Sequence, residues 1–154
     1  MNDASNRHAE LYDFAPLAYV SLDQHSCIRE INLTGASLLR QERERLYGRP
    51  FSSFVDTSDL ARFLTHLRQC AEGQTLSTEV GLRIGESRLD VRLHSAPPSQ
   101  HPGPHGRLCQ TAIVDITELR QMQVRLSLSQ RLATVGTIAA GIARQPNNPP
   151  AFLI

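Results

Sequence analysis

Apolar and polar positions change period several times along the chain. Residues 7–14 (RHAELYDF) carry helix formers and stop at Ala15-Pro16, since proline disfavours helical backbone at the residue before it. Residues 17–23 (LAYVSLD) and 27–32 (CIREIN) are rich in β-branched and aromatic side chains around Gln24-His25-Ser26, which predicts a hairpin. From Leu33 to a glycine stop at Gly48 the apolar spacing is helical. Asp56, Ser58 and Asp59 then stand as cap residues before LARFLTHLRQCAEG, a helix closed by Gly73. On a wheel of ~100° per residue its Leu60, Phe63, Leu64, Leu67 and Ala71 share one face, and His66 falls at the polar edge.

After Gly73 the period becomes two. Thr78, Val80, Leu82 and Ile84 alternate in one strand and Leu89, Val91 and Leu93 in the next, with Gly85-Glu86-Ser87 between them. Residues 95–106 (SAPPSQHPGPHG) form a turn-rich loop, and 108–116 (LCQTAIVDI) a fifth strand with Ala112 and Val114 on one face. Two strands before the helices and three after predict an α+β fold, a five-stranded antiparallel sheet with helices on one face. From Thr117 a long helix begins. Leu119, Met122 and Leu126 make one apolar seam and Leu128, Leu132, Val135, Ala139 and Ile142 a second, displaced by two residues. A broken seam of this kind fits a coiled-coil-like pairing with another copy, over residues 118–145, ended by Pro146. The expected organisation is a lead helix in 1–16, a sheet domain in 17–117, a dimerisation helix in 118–145 and a disordered remnant in 146–154.

Composition narrows the classes. The 154 residues suffice for one domain and a few extra turns of helix, and 16 basic against 15 acidic side chains leave no field to draw nucleic acid. No apolar run approaches the ~20 residues of a membrane span, and the start lacks a signal-peptide pattern, so a cytoplasmic protein is expected. Cys27, Cys70 and Cys109 are dispersed and odd in number, which writes neither a disulfide framework nor a thiolate zinc site. Without Trp, and with five Phe and three Tyr, there are few rings to stack a flavin or a base.

Four local features make residues 7–118 resemble the PAS family of sensory domains. They are Ala15-Pro16 before the first strand, Asn32 ending the second, Gly48-Arg49-Pro50-Phe51 before the central helix, and Asp115-Ile116-Thr117-Glu118 at the exit of the last strand. The resemblance implies that Asp115, Ile116 and Thr117 form a signal junction between sheet and output helix. As residue types, Asp115 and Thr117 are good helix starters, with Glu118 adding favourable charge. Residues 128–154 are similar to the first dimerisation helix of a sensor histidine kinase, with Asn147-Asn148-Pro149 intact. In that alignment Arg144 stands at the phosphoacceptor histidine and Gln145 at the adjacent acid/base glutamate. A guanidinium is no nucleophile at neutral pH and a neutral amide no general base, so no catalytic residue is expected here.

The expected function is a sensory and dimerisation module of a two-component, histidine-kinase-like signalling protein. It forms a homodimer and works with a kinase or response-regulator partner. Two alternatives stand beside it, a fragment of an active sensor kinase and a sensor holding haem or a small apolar ligand; no cofactor is required. A candidate ligand pocket would be walled by Asn32, Leu64, Leu67, Val80, Leu82, Val91, Leu93, Ala112 and Val114, all but the first small or medium aliphatics that could equally close into a dry core. Asn32 could bond a ligand or cap the next helix. His66 as a haem ligand would have to point inward, against the wheel. Cys70 reads as packing, and His94, His101 and His105 as solvated surface or loop side chains rather than metal ligands.

Overall fold

A computed structural model describes residues 2–98, 100, 101 and 103–143. Arg144, Gln145 and the expected disorder of 146–154 lie outside the described residues. The chain divides into two compact units, one running to Thr117 and the other starting at Glu118. The helix formers ahead of Pro16 wind into α1 (Asn2–Asp13), longer than the pattern suggested, and the first hairpin is β1 (Ala18–Leu22) with β2 (Ile28–Ile31). Short helices α2 (Leu33–Leu38) and α3 (Arg43–Leu46) follow, then two 3-10 turns (Phe51–Phe54 and Thr57–Asp59) and the central helix α4 (Leu60–Ala71). Strands β3 (Leu76–Ile84), β4 (Ser87–Ala96) and β5 (Cys109–Asp115) complete the sheet, and α5 (Thr117–Ala143) leaves it.

The strands lie in the order β2-β1-β5-β4-β3, all antiparallel, so the last strand fills the gap between the two hairpins. Gly85-Glu86 joins β3 to β4, and Gly85 has φ +62°, a left-handed backbone that suits a two-residue hairpin turn and costs glycine nothing. One face of the sheet is dry. Val20 and Leu22 of β1, Val80 and Leu82 of β3, and Val91 and Leu93 of β4 close over Phe51 and Phe63, whose rings lie 5.5 Å apart. Burying a ring such as Phe63 is worth about 1.5–3 kcal/mol relative to leaving it in water.

Two details of the expected core are corrected by the structure. On α4 the buried residues are Phe63, His66, Leu67 and Cys70, while Leu64 is 49% exposed and Ala71 is at the surface. On β5 the core face carries Cys109, Thr111 and Ile113, leaving Ala112 and Val114 half-buried on the opposite face. The cause is shared: the core accepts a polar residue from each element, His66 and Thr111, because Ser95 of β4 bonds to both. A wheel or alternation that counts only apolar side chains is thereby turned out of phase.

In the second unit, α5 runs 27 residues, about 40 Å at 1.5 Å per residue. Leu119, Met122 and Leu126 of the first expected seam, and Leu128, Leu132 and Val135 of the second, lie open in the single chain. Among the described residues no helix is long and apolar enough to cross a membrane.

Candidate functional site

Strand β5 ends at Asp115, and the turn into α5 is held from two sides. The Asp115 carboxylate Oδ1 accepts from the Thr117 backbone N–H at 2.9 Å, tightening the turn at the helix start. Across the sheet, the Asp90 carbonyl of β4 accepts from the Ile116 N–H at 2.8 Å, and the Asp90 N–H donates to Thr117 Oγ1 at 2.9 Å. The Thr117 hydroxyl in turn points its own proton toward the Asp90 carbonyl at 3.4 Å. Ile116 is buried, whereas Asp115 is exposed. Two of the three residues singled out in the sequence, Ile116 and Thr117, thus bond to one backbone position of β4, and Asp115 holds the second of them through its amide; Asp90 is a partner that no local motif names.

Asn32 is buried with all four of its hydrogen-bonding positions used inside the protein. Oδ1 accepts from Tyr19 N at 2.9 Å and Gly35 N at 2.8 Å; Nδ2 donates to the carbonyls of Tyr12 at 2.8 Å and Leu17 at 2.9 Å. It caps α2 and ties the end of α1 and both ends of the α1–β1 segment to the same point. An amide has two donors and two acceptor sites, so nothing remains for a ligand. Of the expected pocket walls, Leu67, Val80, Leu82, Val91 and Leu93 come together in the core cluster; Leu64 instead lines an open cleft, and Ala112 lines a groove on the outer face of the sheet.

His66 is the residue that the wheel misplaced. It is 2% exposed, with Nδ1 2.7 Å from Thr78 Oγ1 and Nε2 2.7 Å from Ser95 Oγ, which continues to Thr111 Oγ1 at 2.7 Å. Burial with no counter-charge pushes its pKa below the usual value and favours the neutral ring. Both ring nitrogens are engaged, so neither is free for haem iron in this arrangement. Beside this column, Cys70 Sγ donates to the Ala96 carbonyl at 3.1 Å, and burial, with Cys109 next to it, pushes the Cys70 thiol up to about 12. Such a thiol packs rather than reacts. His94, His101 and His105 are exposed, and among the described residues no cluster of three or more His, Cys, Asp or Glu could hold a metal.

One further cluster escaped the sequence. Asp56 and Asp59 served there as cap residues, and Asp56 does accept from Ser58 N. Its other oxygen meets Arg88 Nη1 at 2.5 Å and Arg83 Nε at 3.2 Å, while Asp59 Oδ2 accepts from Gly81 N at 2.8 Å. The Ser58 amide, with Arg83 adding to it, holds the Asp56 carboxyl below the usual range. Arg88 crosses the bare backbone of Gly81 to reach both carboxylates; a Cβ there would clash with the guanidinium and force it to shift. The signal available in the sequence was one glycine inside an otherwise regular strand.

Comparison with known proteins agrees with this architecture. The family model described as the PAS fold matches residues 13–121. The chain is 25% identical over 133 residues to the signal transduction histidine-protein kinase AtoS of Escherichia coli (strain K12), covering 84% of this chain and 21% of that protein. It is 27% identical over 145 residues to the sensor protein kinase FleS of Pseudomonas aeruginosa, covering 94% of this chain and 31% of the relative. The chain therefore spans under a third of the curated relatives it matches. The crystal structure of a PAS domain from Colwellia psychrerythraea superposes with a TM-score of 0.65 at 17% identity, over 75% of this chain and 99% of that one. The resemblance carried by Ala15-Pro16, Asn32 and Asp115-Ile116-Thr117 is borne out: this chain belongs to the PAS-fold family and is similar to the sensor histidine kinases.

Proposed function

We propose that the chain is the sensory module of a two-component, histidine-kinase-like protein, in which the state of the sheet domain passes through Asp115, Ile116 and Thr117 to an α5 helix paired with that of a second copy. The observation that carries this reading is the clasp at Asp90. Three hydrogen bonds between one residue of β4 and two residues at the helix start couple strand position to helix start, so a shift of the strand is felt at α5. Support for pairing comes from the exposed seam, since six large apolar side chains on one helix gain by burial against a partner. The displacement between the two seams offers two helix registers of similar energy, the two-state element that such a relay needs. Phosphoryl transfer belongs to a partner in this reading, either a kinase or a response regulator, because on the resemblance to the dimerisation helix Arg144 stands where the acceptor histidine would be.

The test is Asp115→Ala in the full chain. Dimer affinity by analytical ultracentrifugation should shift by about tenfold or more, whereas the unfolding free energy of the sheet domain from urea titration falls only by the ~1 kcal/mol expected for one exposed cap. Equal losses in both readouts would reduce the junction to a structural turn and sink the relay. As a control on pairing, Leu126→Glu should give a monomer with an intact sheet domain.

A further inference from the structure

At the end of the sheet opposite the α5 junction, β5 begins at Cys109 and the β1–β2 turn begins at Asp23. These segments, the outer side of α4 and the return loop before β5 enclose an open cleft of about 700 Å³. That is ample for a small organic molecule. The floor is apolar: Leu64, Leu67, Ala71 and Cys109. Leu64 is half exposed there on an α4 face otherwise polar, where an apolar ligand tail would cover it. The rim is basic. Arg29 is neutralised by Asp23 at 2.9 Å, but Arg68 and Arg107 have no carboxylate within ion-pair reach among the described residues. Asp23 spends its second oxygen on the backbone amides of His25 and Cys27, so it is fully committed and does not cancel the two arginines.

An apolar floor under two uncompensated guanidinium groups is complementary to an anionic head on an aliphatic tail. We propose that this cleft binds a small amphipathic carboxylate, with the carboxylate between Arg68 and Arg107 and the tail over Leu64 and Ala71. Because Cys109 belongs to β5, an occupant touches the strand whose far end is Asp115. Its role as an input signal rests on the reading above; its binding does not.

Isothermal titration of the full chain with decanoate, decanol and decyltrimethylammonium tests the head group, and amide chemical shifts locate the site. Decanoate should bind, with shifts at Ala71, Arg107 and Cys109; Arg68→Ala/Arg107→Ala should weaken it roughly tenfold or more, as should replacing the acid by the alcohol. Leu64→Glu, at an exposed position that tolerates charge, should abolish it. Equal affinity for decanol, an unaffected double variant, or shifts confined to the outer sheet face around Tyr19 and Ala112 would each overturn the proposal. Ultracentrifugation with saturating decanoate separates the two ideas: unchanged helix pairing with the arginine-dependent binding intact keeps the site and removes its role as a signal.

Discussion

Two buried polar side chains organise the sheet domain, and they do so in opposite ways. Asn32 bonds four backbone groups from three segments, α1, the start of β1 and α2. Backbone partners cannot rotate, so each donor and acceptor has one assignment and the arrangement has a single state. His66 bonds only side-chain hydroxyls, on β3 and β4, and through Ser95 reaches β5. Hydroxyls rotate and imidazole titrates, so this centre is adjustable where the first is rigid. The difference teaches what each is for: one fixes where the chain enters the sheet, the other joins α4 to three strands with bonds that can be rearranged.

The largest expected effect comes from breaking the rigid centre. Asn32→Ala strands two amides and two carbonyls and should cost about 3–5 kcal/mol in urea unfolding, a large share of the ~5–15 kcal/mol typical of a domain. A loss under about 1 kcal/mol would mean that water replaces the amide, and the contrast would fail. Next is the titration of His66. Its folded-state pKa lies below the ordinary 6.5, so above that pH both states are neutral and stability is flat. As pH falls below 6.5 the unfolded chain takes up a proton that the folded chain refuses. Stability should then drop by up to ~1.4 kcal/mol per pH unit until the folded value is reached. His66→Gln should flatten that slope; an unchanged profile between pH 6.5 and 5 would place the acid sensitivity elsewhere. Smallest is Thr111→Val, which trims only the end of the column and should cost about 1 kcal/mol at any pH.

The same pair shows how far the sequence could be read. Asn32, at a strand end ahead of a small-residue helix, was open to a capping reading from its neighbours alone, and so was Asp115-Ile116-Thr117, because caps are local chemistry. The five strands and the order of helices followed from period changes that packing did not override. What escaped depended on distant partners. Nothing near His66 announces Thr78, Ser95 and Thr111, which lie 12, 29 and 45 positions away and become neighbours only once β3, β4 and β5 pair. Arg88 reaching Asp56 over Gly81 is hidden for the same reason. Asp90 is invisible too, since it contributes backbone and its side-chain identity carries no information about the clasp.

The hydroxyl column, with its three hydrogen bonds of 2.7 Å, can be oriented in two ways. A neutral imidazole carries its proton on one nitrogen, so Thr78 accepts while Ser95 donates, or the reverse, and Ser95 passes the choice on to Thr111. The core of this domain therefore holds a line of dipoles from β3 through α4 to β5 with two polarities and the same net charge. Reversing it moves no heavy atom and creates no ion, yet it reverses the direction of that line of dipoles, a binary degree of freedom stored without a change of shape.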